Sequence, residues 1–191
     1  MRGVILYATR YGSTKTVCQW IRQGMAHSEA SIHRITQWRG DADFFILGCP
    51  IFIGKPHPDM TDFLHTSKQL LQGKPVAMFI TSWAESTPYR ASCRDFLALL
   101  RFHLSPCAPI AEASLPGRLL MEEISPIDRR VMGRLLRRID DLSPDFHSKN
   151  MGWKDARDKE QCMAFGRRLD RILSALGTQG SVDGKQGESG Q

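Results

Sequence analysis

Val4-Ile5-Leu6-Tyr7-Ala8, then Thr9-Arg10-Tyr11-Gly12-Ser13-Thr14, then Lys15-Thr16 is the stretch on which the fold of this chain turns. An apolar run of strand length passes into a short loop of hydroxyls and glycine, and from there straight into a helix. Such a loop aims backbone N–H groups and Ser/Thr hydroxyls at a bound anion, with the positive end of the helix dipole behind them. The chain carries neither G-x-x-x-x-G-K-[ST] nor G-x-G-x-x-G, which excludes a nucleoside-triphosphate loop and a dinucleotide fingerprint. The loop suits the single terminal phosphate of a mononucleotide. Taken alone, the same cluster also fits a plain turn with an N-cap; a second loop further along weighs toward phosphate.

Outward from that stretch, short apolar runs alternate with helical segments. Gly3 to Ala8 is predicted as a buried strand and Thr14 to His27 as a helix with Val17, Ile21 and Met25 on one face. Ala30 to Ile35 is a weaker strand, and Phe44 to Gly48 has the continuous apolar character of a strand buried on both faces of a parallel sheet. A helix over Asp59 to Gln72 is bracketed by Pro58 and Gly73. Pro75 to Thr81 is a strand, Tyr89 to Leu104 a helix, and Ala108 to Leu115 a strand. The pattern implies an α/β fold, a doubly wound sandwich around a five-stranded parallel sheet in the order 2-1-3-4-5. Ser125 to Leu142 reads as an extra amphipathic helix with Ile127, Val131, Leu135, Ile139 and Leu142 along one side, inside an insertion of about 117–150. Gly152 to Leu176 supplies the last helix. The domain is expected over 1–176, with a disordered Gly/Ser/Gln-rich tail over 177–191.

In a doubly wound sheet the loops after the first, third and fourth strands converge. The second loop, Gly48-Cys49-Pro50-Ile51-Phe52-Ile53-Gly54-Lys55, has glycine at each end and apolar residues between, so its backbone can approach a flat ring and its side chains can cover it. The third opens with Thr81-Ser82-Trp83-Ala84, where an indole directly after a buried strand can lie against that ring. Stacking is favoured for Trp83 over filling the core. Arg10 can pair with phosphate or simply cap the surface. Cys49 is expected to be an inert buried thiol, since nothing marks its pKa as lowered.

Composition narrows the class. The 191 residues are 41% hydrophobic and 24% charged, with a net charge of +6. That suits one globular domain. No window approaches the length of a membrane span, and the strand at the very start leaves no room for a signal peptide, so a cytoplasmic location is expected. The five cysteines are scattered, and neither they nor the histidines show metal-ligand spacing; no metal is assigned. Arginines concentrate late in the chain, at Arg129, Arg130, Arg134, Arg137, Arg138, Arg167, Arg168 and Arg171. Such a surface could meet an anionic lipid surface or an acidic substrate; with no nucleic-acid motif, nucleic acid is not assigned as a partner.

With these residues in view the chain resembles the flavodoxin superfamily. Within it, the chain is similar to the flavodoxin-type, menaquinone-dependent protoporphyrinogen oxidase of bacterial haem synthesis and its flavodoxin-domain relatives. The matching pieces are the T-R-x-G-x-T loop, the G-x-x-I-x-x-G loop with His57 soon after, and the basic segment before the last helix. The resemblance covers residues 1 to about 175 and implies FMN as cofactor. Thr9, Arg10, Tyr11, Gly12, Ser13 and Thr14 would belong to the phosphate site. Cys49, Pro50, Ile51, Phe52, Ile53 and Gly54 would flank the ring, with Ser82, Trp83 and Ala84 on its other side. No side chain is assigned a catalytic role, because the flavin carries the chemistry. The oxidase resemblance implies a porphyrinogen donor, a quinone acceptor and contact of the basic helix with the inner face of the plasma membrane. The insertion is less aromatic than that group suggests, and Glu122, Glu123, Asp140 and Asp141 dilute its charge. The alternative is an electron-transfer protein that serves protein redox partners without a small-molecule substrate. A third class is a regulatory module whose loops no longer bind flavin.

Overall fold

A computed structural model describes residues 1–120, 122–142 and 155–183, without the side chains of 139–142 and 179–183. The elements run β1 (Arg2–Tyr7), α1 (Ser13–Gly24), β2 (Glu29–Arg34), β3 (Phe44–Phe52), β4 (Lys55–Pro56), α2 (Pro58–Thr66), α3 (Lys68–Leu71), β5 (Val76–Ser82), α4 (Ser92–Leu104), β6 (Ala111–Pro116), α5 (Pro126–Leu142) and α6 (Lys159–Asp183). The parallel order is β2-β1-β3-β5-β6, the expected doubly wound arrangement. Residues 3–7 of β1 face 44–48 of β3, and 45–50 of β3 face 76–81 of β5. The chain reverses its winding direction between β1 and β3, which opens a crevice at the carboxyl ends of those strands.

Alternation along the three central strands feeds two separate cores. Ile5, Tyr7, Phe44, Ile46 and Phe79 point to one face, where Val17, Ile21, Cys162, Phe165, Leu169 and Leu173 of α1 and α6 cover them. Val4, Leu6, Phe45, Leu47, Val76, Met78 and Ile80 point to the other, under Met60, Leu64, Leu71, Leu100 and Leu104 of α2, α3 and α4. Both faces are apolar because both are roofed by helices, which is why these strands read as unbroken hydrophobic runs.

Several boundaries differ from the sequence reading. The helix expected over 59–72 is two helices, interrupted at Ser67, whose ψ of 20° breaks the regular geometry. The segment from Trp83 to Ala91 forms two 3-10 turns capped by the hydroxyls of Ser82 and Thr87, so α4 begins only at Ser92. The last helix runs to Asp183, past the Leu176 expected, and the remainder of the expected tail, 184–191, lies outside the described residues.

The largest change concerns the second loop. β3 continues through Phe52, and β4 pairs with it antiparallel, Phe52 opposite Lys55 and Ile51 opposite Pro56. The turn is therefore just Ile53 and Gly54, with φ of 51° and 72°. Two successive positive φ values make a turn whose twist matches a hairpin. Gly48 lies inside the strand rather than at the edge of a loop, and a Cβ there would come 2.4 Å from the Phe79 ring. It is glycine to admit a neighbouring aromatic ring.

Candidate functional site

The carboxyl ends of β1, β3 and β5 open into a cavity of about 450 Å³. Its wall includes Thr9, Arg10, Tyr11, Ser13, Thr14, Pro50, Ile51, Phe52, Ile53, Gly54, Ser82, Trp83 and Ala84, so all three expected loops meet in one place. Two expected residues stay off the wall. The Gly12 N–H donates to Thr9 Oγ1 at 2.9 Å, and a φ of 80° there lets the loop turn into α1. The Cys49 side chain points into the core, 1% exposed. Its thiol is pushed up to about 12 by burial, so it stays protonated at neutral pH. Its sulfur accepts from the His57 N–H at 3.3 Å, which ties the hairpin to the start of α2. His57 caps that helix, accepting at Nδ1 from the Asp59 N–H. Burial depresses the pKa of this imidazole, Arg34 and Arg10 adding to the effect and Asp59 opposing it.

One end of the cavity is lined by hydroxyls at the start of α1. α1 begins at Ser13, and Gly12 at its N-cap has no side chain to bond the first-turn amides. Ser13 Oγ accepts from the Arg118 N–H at 3.2 Å, which leaves its own proton to donate. Thr14 Oγ1 lies 3.0 Å from Thr81 Oγ1, fully buried. Hydroxyls and helix amides together form the kind of donor set that takes a phosphate. The rest of the wall is largely apolar. Ile53 reaches it from a left-handed backbone conformation that costs a β-branched residue about 1–2 kcal/mol. Strain of that kind persists where the surrounding structure imposes it, and it clusters at binding sites.

Residues outside the three loops complete the wall: Thr87, Tyr89, Ser92, Phe96, Gly117, Arg118, Leu119, Met132, Leu135 and Arg138. The residues at 117–119 follow β6, which ends beside β5, and that adjacency was a usable signal. Those of α5 had none, because nothing local places the helix over the crevice. Trp83 is partly buried, packed with Tyr11, Phe52 and Leu135 around Leu119, Ile124 and Met132. The inward face of α5 also differs from expectation. Ile127 is 77% exposed, whereas Asp128, Met132 and Leu136 are buried. The side chains of Ile139 and Leu142 lie outside the described residues.

Asp128 is buried because it has partners. Arg10 meets it with both arms of its guanidinium, Nε to Oδ2 at 3.0 Å and Nη2 to Oδ1 at 2.9 Å, and the Tyr11 hydroxyl donates to the same carboxylate. Burial works to raise this carboxyl, but hydrogen bonds from Tyr11, Arg10 and Ser125 outweigh it and hold the pKa below the ordinary value. The Arg10 guanidinium carbon also sits 4.7 Å from the centre of the Phe52 ring. Arg10 thus joins the first loop, the end of β3 and α5. A wider polar depression of about 1280 Å³ beside β2 contains none of the expected site residues.

A family model of the flavodoxin domain matches residues 4–144. The chain belongs to the flavodoxin family. Domains of this family bind FMN. Among solved structures, an archaeal flavodoxin aligns with 14% identity and a TM-score of 0.53 over 91% of this chain and 99% of its own. Flavodoxin 1 from Bacillus cereus aligns with 15% identity and a TM-score of 0.50, over 87% of this chain and 95% of its own. A WrbA-like protein from Agrobacterium tumefaciens gives 15% and 0.50, over 91% and 98%. At these identities the likeness is one of fold. No curated protein sequence matches the chain. The cavity fits the family's cofactor, with hydroxyl and amide donors for a phosphate at one end and an apolar slot for a flat ring beside it. Among the described residues no helix is long and apolar enough to cross a membrane.

Proposed function

We propose that this flavodoxin-family chain binds FMN and works as a redox protein, exchanging electrons with protein partners. The observation that carries this reading is the single cavity in which a phosphate-type donor set and an apolar slot are joined at the switch point of the sheet. Bound FMN would supply transfer of one or two electrons at its ring. Ser13, Thr14 and the first amides of α1 hold the phosphate. Pro50 to Gly54 lie along one side of the ring, and Ser82, Trp83 and Ala84 along the other. The exposed arginines of α5 (Arg129, Arg130, Arg134 and Arg137) suit a partner with an acidic surface.

A second reading is an oxidoreductase of the protoporphyrinogen oxidase type, with a quinone as acceptor and the basic face of α5 against an anionic membrane. One observation favours it. Leu119, Met132 and Leu135 cover the cavity where a carrier that meets only proteins has no need of a roof.

Visible absorption during titration with FMN tests the cofactor. Flavin bands with tight uptake are expected, and a protein that retains no flavin once excess FMN is removed would sink both readings. Ser13→Ala should weaken FMN by about tenfold, the worth of one charge-assisted hydrogen bond, and leave riboflavin binding unchanged because riboflavin has no phosphate. Turnover then separates the two readings. A carrier is reduced only through a reductase, whereas an oxidase consumes porphyrinogen with a quinone and no other protein.

A further inference from the structure

The loop position that looks most like a phosphate partner, Arg10, is committed elsewhere. Its guanidinium is forked onto Asp128, with Nη2 also 2.7 Å from Oδ2, and its other neighbours are the Tyr11 hydroxyl and the Phe52 face. A bidentate arginine–carboxylate pair fixes orientation as well as distance. Asp128 meets that pair at the third position of α5, where its own N–H donates to Ser125 Oγ at 3.1 Å and Pro126 occupies the first helical position. The Ser125 N–H in turn donates to the Tyr11 hydroxyl at 3.3 Å. The helix start and the phosphate loop are therefore one hydrogen-bonded unit. From that anchor α5 projects Met132 and Leu135 over the cavity, one and two turns along the same face.

We infer that Arg10, Tyr11 and Asp128 form a latch that seats α5 as the roof of the flavin ring site, with Asp128 as a positioning residue and Arg10 serving the roof rather than the phosphate. The inference rests on the FMN reading for its ligand. Roof closure requires that the ring be bound partly by residues of α5, so releasing the latch weakens the ring end and spares the phosphate end. The sequence pattern hides this, because Asp128 falls on what looks like the apolar stripe and its partners lie 117 and 118 residues earlier.

The experiment measures FMN and riboflavin affinity side by side in the wild type, Arg10→Gln, Arg10→Lys and Asp128→Asn, together with the rate of tryptic cleavage within α5. Each variant should lose affinity for both flavins by a common factor of about tenfold, leaving the FMN-to-riboflavin ratio unchanged. Lysine should fail like glutamine, since it keeps the charge and loses the fork. Cleavage at Arg129 to Arg138 should accelerate in all three variants. The inference is overturned if Arg10→Gln weakens FMN alone, which would put Arg10 on the phosphate. It is equally overturned if Asp128→Asn tightens FMN relative to riboflavin, which would make Asp128 a competitor of the phosphate. Unchanged cleavage would show that no latch exists. If the wild type bound neither flavin, the cofactor reading would fail and the cleavage rates would still decide the latch. Tyr11→Phe, which deletes one hydroxyl, gives the same comparison where a charge variant does not fold; it should shift cleavage and both affinities in the same direction by a smaller factor.

Discussion

The two long helices that follow the sheet are held by opposite means. α6 lies against α1 almost backbone to backbone. A Cβ at Gly166 would come 2.1 Å from the Ile21 carbonyl oxygen, and one at Gly24 would come 2.2 Å from that of Met163. Cys162, Phe165, Leu169 and Leu173 close the core around Ile5, Phe44 and Phe79, and Asp170 accepts the N–H groups of Ala26, His27 and Ser28 at 2.8–3.0 Å. α5 instead rests on a small satellite cluster around Leu119, Ile124 and Met132 and on the Asp128 latch, and among the described residues a Cβ at Gly133 would meet no neighbouring element within 4 Å. A helix sealed into the main core shares the global stability of the fold. One held by a few directional contacts can open by itself, as elements that control access to a ligand do.

Gly166→Ala attacks the first arrangement where it is tightest. Backbone has to shift to admit the methyl group, at a cost of about 3 kcal/mol, read as a lower urea midpoint. An unchanged midpoint would mean that the helices do not approach so closely, and the contrast with α5 would collapse. Asp170→Ala should cost about 2 kcal/mol by removing the charged acceptor of three part-buried amides. Its pH dependence follows from the sign of the shift. Burial works to raise the Asp170 carboxyl, but the donors of Ser28, His27 and Ala26 prevail and its pKa lies below the ordinary value. The stabilisation is thus complete above the unfolded carboxylate pKa of about 3.9 and is lost as pH falls through the lower folded value. Wild type and Asp170→Ala should differ by a constant amount at neutral pH and converge in strong acid. Asp128 has the same sign, but its loss should appear in acid as faster hydrogen exchange of the α5 amides before global unfolding. Gly133→Ala should have the smallest effect. With open space around it, alanine stabilises the helix by about 0.5–1 kcal/mol, and the comparison is sharpened if α5 resists trypsin longer while the urea midpoint stays put.

The fold was legible because burial writes itself into local sequence. The runs Val4 to Ala8, Phe44 to Leu47 and Val76 to Ile80 are apolar on both faces, as strands covered on both sides of a parallel sheet are, and their alternation with helices adds the parallel order. The Thr9 to Thr14 loop followed from its place between such a strand and a helix. Ile53-Gly54 lacks the Asn-Gly or Asp-Gly that usually marks a hairpin turn, so the sequence ends β3 at Gly48 and shows a loop where a two-residue turn exists. Cys49 alternated to the core face for the same reason: in an extended strand, neighbours point opposite ways.

Periodicity, turn chemistry and helix caps depend on each residue and its near neighbours, and from them came the doubly wound sheet, the hydroxyl-rich loop between β1 and α1 and the existence of α5. Which carboxylate Arg10 takes, which face of α5 turns inward and what roofs the cavity depend on pairs more than a hundred residues apart. Such pairs leave no periodic trace, because the free energy of a fork between a guanidinium and a carboxylate exists only once the folded backbone has brought the two together.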